Sequence, residues 1–462
     1  MPNASTTNSK RSLSSLLHGY LDLRKNSLVQ VSAKQNVLMF VAGIIIFFIV
    51  SPSQSLNNFS LLIFFSPIWV PGVLIYPTII RYIQANRVTF ISKQKFVLLE
   101  LLIPREVTKT PLAMETFFSN LHIGSGEGTN YQKYVQGSVR PWWSFEIVSL
   151  GGRVHFYIWT RVGFRRLIES SLYSQYPDMQ IIEAEDYSRI TDPSDADHQI
   201  FGAEYAKGKP DPFPIKSYID FGLTPGSKPE ENVDPLAQVV ELLGSIGPEE
   251  QVWLQFIIRT TKDEKLHKKT ADGKAYTWRD QAVDLIDDLR TKLSQKGQYI
   301  DPVTGKLHET KIGNLTKGQT DTINSIERNI TKQGFDTGIR VIYSAKKDAF
   351  QPGMIGPLLN IFKPFNNESN NTIGPNPSVW SPSFSGYPWE DRSGYQHQYV
   401  NSQVTRLYRQ RAFYHLPYVS KWMVLSTEEL ATIYHIPTSG VSTPNLQRIQ
   451  STTSGAPANL PQ

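Results

Sequence analysis

The sequence predicts an α+β fold, with two N-terminal transmembrane helices followed by two α/β sandwich modules of the split βαβ kind. Three observations predict it. Residues 37–80 contain no charged side chain. The next hundred residues read in the order β-α-β-β-α-β. Parts of that stretch then have echoes further along the chain.

The apolar stretch comes as two runs. One is unbroken from Val37 to Val50, and the second extends from Leu61 to Ile80. At about 1.5 Å per residue the second covers about 30 Å, one hydrocarbon core. The first is shorter, and Lys34 is placed to snorkel and extend it. Arg81 and Arg87 follow the second run. Basic flanks on both sides predict a two-pass protein of the inner (cytoplasmic) membrane, with its large domain cytoplasmic.

Composition narrows the function classes. The chain has 462 residues, 19% charged and 40% hydrophobic, enough for several folded domains. It has no cysteine, which excludes disulfide frameworks, thiolate metal sites and a cysteine nucleophile. The formal charge is +6. Residues 1–36 hold five basic side chains against Asp22 alone, so most of the excess lies there rather than in a basic groove.

The elements follow in order. Residues 96–104 form an apolar run read as a strand. Thr110 and Pro111 open a helix whose Met114, Phe117, Phe118 and Leu121 share one face. Gly151-Gly152 joins two strands, 142–150 and 154–160, as a hairpin. A helix through Leu167, Ile168 and Leu172 and a strand at 179–184 complete a ferredoxin-like unit. Asp234-Pro235-Leu236-Ala237 repeats Thr110-Pro111-Leu112-Ala113 with one change, and Ile326-Glu327 repeats Ile168-Glu169. These echoes predict a second unit. Its third strand has no clear signal, and strand 339–344 is matched to strand 181–185. The predicted organisation is a basic segment 1–36, a membrane hairpin 37–80, a first module 81–190 and a second module 191–362 with an insertion at about 261–318. An aromatic, Pro-rich arm with C-terminal helices follows at 363–437, then a tail at 438–462. Ser426 and Glu429 form a capping-box pattern within the arm.

No catalytic, cofactor-binding or metal-ligating set emerges. There is no GxxxxGK[ST], HExxH or GxSxG pattern. The acidic group Glu183, Glu185 and Asp186 reads as a solvated strand exit. The aromatics Trp142, Trp143, Phe145, Tyr157 and Trp159 read as core three times more readily than as a base-stacking surface.

FVLLELLIPRE, WWSFEIVSLGGRVHFYIWT and RRLIESSLYSQYPDMQIIEAEDY resemble the membrane-anchored N-terminal region of type IV secretion or conjugation-type ATPases of candidate-phyla bacteria. Such regions are often catalogued only as domains of unknown function. INSIERNITKQGFDTGIRVIYSAKKDAF and VLSTEELATIYHIPTSGVSTPNLQRIQ resemble the segments just ahead of the motor in that family. No P-loop motor follows here, so no catalytic residue carries over. The resemblance implies a non-enzymatic, membrane-anchored adaptor that positions a separate P-loop ATPase or another secretion subunit. Tyr408, Phe413, Tyr414 and Trp422 are the candidate partner interface. The lipid bilayer and further copies of the chain are the other expected partners. A membrane-tethered nucleic-acid binder is the less favoured alternative.

Overall fold

A computed structural model describes residues 64, 66–104, 106–124, 126–189, 197–226, 234–262, 270, 273–293, 295–300, 307–312, 316–376, 403–438 and 448–449. It comprises two units. One contains residues 1–93 and 126–139, and the other contains 94–125 and 140–462.

In the first unit the main described element is α1 (Ser66–Ser92). Asn86 donates from Nδ2 to the Val135 carbonyl at 3.0 Å, tying the helix to residues 131–135. Among the described residues no helix is long and apolar enough to cross a membrane. α1 continues through Arg81 and Arg87. The predicted pair of transmembrane helices, the two-pass inner-membrane location and the lipid partner are therefore not supported. Ile80 lies within α1, which runs on past it. Lys34, Val37, Val50 and Leu61 lie outside the described residues.

The second unit is built on one large antiparallel sheet. Its first half contains β1 (Phe96–Pro104), α2 (Leu112–Asn120), β2 (Trp143–Leu150), β3 (Arg153–Arg161), α3 (Arg165–Gln175) and β4 (Gln180–Ala184). The β2–β3 turn is made by Gly151 and Gly152, both at positive φ (58° and 85°), the backbone a two-residue hairpin requires. Its second half contains β5 (His198–Lys207), α4 (Pro235–Gly244), β6 (Glu250–Thr260), α5 (Trp278–Leu293), the hairpin β7 (Gln295–Ile300) and β8 (Leu307–Ile312), α6 (Lys317–Thr331), β9 (Gly334–Lys346), α7 (Ile355–Leu359) and β10 (Ile373–Pro375). The C-terminal segment adds β11 (Tyr414–His415), β12 (Tyr418–Val419), β13 (Met423–Ser426), α8 (Thr427–Ile433) and β14 (Arg448–Ile449).

The strand order is β10-β5-β9-β6-β2-β3-β1, with β4 and β14 beside β1, and β13 beside β9. Counted outward from the β2–β6 seam, each half shows its own second, third, first and fourth strand. The halves are thus related by a pseudo-twofold axis at the seam. The two are not separate sandwiches, because β2 and β6 pair over their length, from Trp143↔Ile258 to Leu150↔Gln251. The missing third strand of the second half is β9. Matching strand 339–344 to 181–185 was incorrect, since β9 occupies the place of β3 rather than β4. The long insertion between β6 and β9 had hidden that equivalence. It has a small core of its own, where Ala282 and Ile286 of α5 meet Ile323 and Ile326 of α6.

One face of the sheet carries the main core. Phe145, Ile147, Phe156, Leu254, Phe256 and Val341 pack under α2, α3, α4 and α8. Phe117 and Phe118 of α2 meet the Phe145 ring edge-on. Tyr434, just after α8, touches Phe145, Phe156 and Phe256 with ring centroids at 5.1, 5.8 and 5.9 Å, so it closes the seam. α4 is capped by Asp234, which accepts from the Leu236 amide at 2.9 Å. α8 has the expected Ser426/Glu429 capping box.

The C-terminal segment also covers the other face. Residues 403–422 cross it as a strap, and two glycines let the strap approach closely. A Cβ on Gly338 would lie 2.3–2.4 Å from the Phe413 ring, and one on Gly202 would lie 2.6 Å from Val404. Gly338→Ala should therefore displace Phe413 and lower stability by about 1–3 kcal/mol, the usual cost of overpacking. A chemical-denaturation midpoint equal to that of the wild type would show that the strap does not seat there.

Candidate functional site

The strap-covered face carries a row of polar residues in direct register across the sheet. Glu100 of β1 pairs with Tyr157 of β3, and Tyr157 with Glu146 of β2. Glu146 pairs with Gln255 of β6, Gln255 with Arg340 of β9, and Arg340 with Glu204 of β5. Strand periodicity puts these groups on one side and the apolar core on the other. Glu146, Gln255 and Arg340 are buried, so each needs partners.

Glu146 is the hub. Ser144 Oγ and Gln255 Nε2 donate to its Oε1 at 2.6 and 2.8 Å, and the Tyr187 hydroxyl donates to Oε2 at 2.7 Å. Arg411 of the strap grips it through both oxygens, Nε to Oε1 at 3.0 Å and Nη2 to Oε2 at 3.1 Å. Arg411 also bonds Asp186, from Nη2 to Oδ1 at 3.2 Å. Five donors saturate a carboxylate with about four lone-pair directions, leaving none for a substrate. Arg340 donates from Nε to Gln255 Oε1 at 2.7 Å and from Nη2 to the Ala412 carbonyl at 2.8 Å. Ser420 Oγ donates to Glu204 at 2.7 Å.

The electrostatics match a structural role. Burial opposes charge on Arg411, but Glu146 and Asp186 more than compensate and hold its pKa well above the usual arginine value. Burial also opposes charge on Asp186, yet Arg411 and Ser188 pull its carboxyl below the ordinary range. Tyr187 and Tyr408 are pushed well up by burial and by Glu146. Their hydroxyls share a hydrogen bond at 2.7 Å. Arg411 adopts φ 47°, the left-handed region, a strain of about 1–3 kcal/mol that surrounding contacts must offset.

All four candidate partner-interface residues turn inward. Tyr408 joins the charge network, and Phe413 fills the notch at Gly338. Tyr414 and Trp422 hold the Arg259 guanidinium at 4.2 and 4.8 Å from their ring centroids, while Arg259 Nε donates to Asp336 at 2.9 Å. Even the most exposed of the four, Trp422, is only 8% accessible. The large apolar character that suggests an interface equally suits an intramolecular one. Asp186, read from sequence as solvated, is in fact Arg411's second anchor. Glu146 itself was missed. Its signal was a lone acid inside an otherwise apolar or small-residue strand, WWSFEIV.

A second cluster lies nearer the surface. Glu115 of α2 accepts from the Tyr218 hydroxyl at 2.7 Å and from Lys332 Nζ at 2.6 Å. Glu428 of α8 pairs with Arg328 at 3.1 Å and lies 3.9 Å from Lys332. Among the described residues no group of acids and histidines could hold a metal ion. Glu428 is 3% exposed, and burial raises its carboxyl pKa despite Ser217 and Arg328.

Two measurements test these assignments. Arg411→Ala should cost about 3–5 kcal/mol, because it strands Glu146 without a counter-charge. Combining it with Glu146→Gln should cost clearly less than the sum of the single changes; additive losses would mean the pair is not coupled. For Glu428 the raised folded pKa fixes the sign. Its contribution to stability is fully present below the unfolded glutamate value of about 4.3 and fades as pH rises through the folded value. Glu428→Gln should therefore flatten the loss of melting temperature between acid and neutral pH. A pH profile parallel to the wild type's would contradict the shift.

No curated protein matches the sequence. The comparisons give no link to secretion ATPases. A family model described as "Domain of unknown function (DUF8128)" matches residues 104–449, from the last residue of β1 to the last of β14. That span takes in nearly the whole sheet and its strap, and the chain belongs to this family.

Proposed function

We propose that the chain is a non-enzymatic assembly platform that positions a separate P-loop ATPase in a type IV secretion, conjugation or pilus-like machinery. One observation carries the non-catalytic part of the reading. Among the described residues, the polar row is bound to itself and to the strap that covers it, and the hub carboxylate has no free acceptor direction. A proton-transfer site needs an acid or base within reach of a substrate atom. The choice of a P-loop partner is supported by the resemblance of residues 96–106, 142–160 and 424–450 to segments that precede such motors.

The nucleic-acid alternative loses the aromatic part of its motive. Trp142, Trp143, Phe145, Tyr157 and Trp159 are all buried, so their faces are not offered to bases.

The purified chain should release no phosphate from ATP. In vivo crosslinking in its native cells should recover a P-loop ATPase, recognisable by its Walker sequence. Recovery of no P-loop protein, or steady ATP hydrolysis by the purified chain, would remove the reading.

A further inference from the structure

The two ends of the sheet are treated unequally. At one end β10 has only three residues and closes on Pro375, a common way of blunting an edge. At the other end β4 has five residues, QIIEA, with neither proline nor lysine. Among the described residues it pairs with β1 alone, leaving its outer side unpaired. Its one charge, Glu183, is paired with Arg165 Nη1 at 2.8 Å, and Arg165 Nε also holds Glu169 at 2.7 Å. Ile182 is 43% exposed in the middle of the strand. It lies opposite Glu100, at the end of the polar row, with Gln180 and Ala184 beside it on the same face. Ile181 packs towards the core on the α3 side.

We infer that β4 is a homodimer seam, pairing antiparallel with β4 of a second copy about a twofold axis at Ile182. The strand is self-complementary in that register. Ile182 meets its own copy, Gln180 faces Ala184, and Ile181 faces Glu183 with Arg165 alongside. No like charges oppose each other across the axis. The chain already contains a joint of this kind, since β2 and β6 are equivalent strands joined antiparallel about a pseudo-twofold axis. The β4 seam would repeat it between chains and remove an open edge.

The absence of cysteine allows a direct test on the full chain. Directly opposed residues in an antiparallel pair have Cα atoms about 4.5–5.5 Å apart, within disulfide reach. Ile182→Cys should therefore cross-link to a dimer under mild oxidation. Gln180→Cys should link at least about tenfold more slowly, because two such residues would lie about 14 Å apart. Gln180→Cys combined with Ala184→Cys should link readily. By sedimentation the wild type should have about twice its 52.4 kDa, and Ile182→Lys should be monomeric with an unchanged circular-dichroism spectrum and a melt that no longer depends on protein concentration. A monomeric wild type, including one that gains mass only with another protein, overturns the inference. So does a dimer that survives Ile182→Lys, or Gln180→Cys linking as fast as Ile182→Cys.

Discussion

The Glu146–Arg411 ion pair is the constraint on which the rest of the fold depends. A fully buried carboxylate in the middle of a sheet is untenable without a counter-charge. The nearest strands do not provide one. Gln255 is neutral, and Tyr157 presents a phenol. The cation arrives from 265 residues away, on a strap that must cross the sheet to deliver it. Once Arg411 is in place, Tyr408, Phe413 and Tyr414 are drawn onto the same face, and the chain returns past Lys207 to form β13 and α8. Lys207 Nζ sits 2.7 Å from Glu429 of the capping box, so the end of the strap is also fixed by a buried pair. Covered on both faces, β2, β6 and β9 are buried along nearly their whole lengths, so their polar side chains need partners within the fold.

Local structure was legible in the sequence; long-range structure was not. The Gly151-Gly152 hairpin, the α2 face at Met114, Phe117 and Phe118, and the Ser426/Glu429 box each rest on residues a few positions apart. Their periodicity or turn chemistry is visible in a short window. The place of β9 depends on skipping an insertion with its own helices, and no local pattern marks that. The strap was misjudged because side-chain type alone does not distinguish an aromatic that anchors a partner from one that anchors its own chain. The apolar run 61–80 was misread for a related reason. Hydropathy extended it to a full span, whereas among the described residues no helix is long and apolar enough to cross a membrane.

The candidate site was least legible of all. Glu146, Gln255 and Arg340 lie on strands separated by up to 194 positions yet stand side by side, and only the register reveals the row. Asp186 and Arg411 are ordinary surface residue types until a bidentate pair joins them to the row.

The row also solves a problem that the pseudo-symmetry creates. A sheet with two equivalent halves offers a strap two equivalent ways to lie across it. Purely apolar faces would discriminate poorly between them, since burial is non-directional. The equivalent positions differ where it matters. Glu146 corresponds to Gln255, and Tyr157 corresponds to Arg340. In the reversed orientation Arg411 would approach a neutral amide and lie beside Arg340, losing its carboxylate and gaining a like charge. In the observed orientation it binds Glu146, and Arg340 is occupied by Gln255 and the Ala412 carbonyl. The polar row thus selects one of two nearly equivalent packings, a role in which a buried ion pair can offset its desolvation cost.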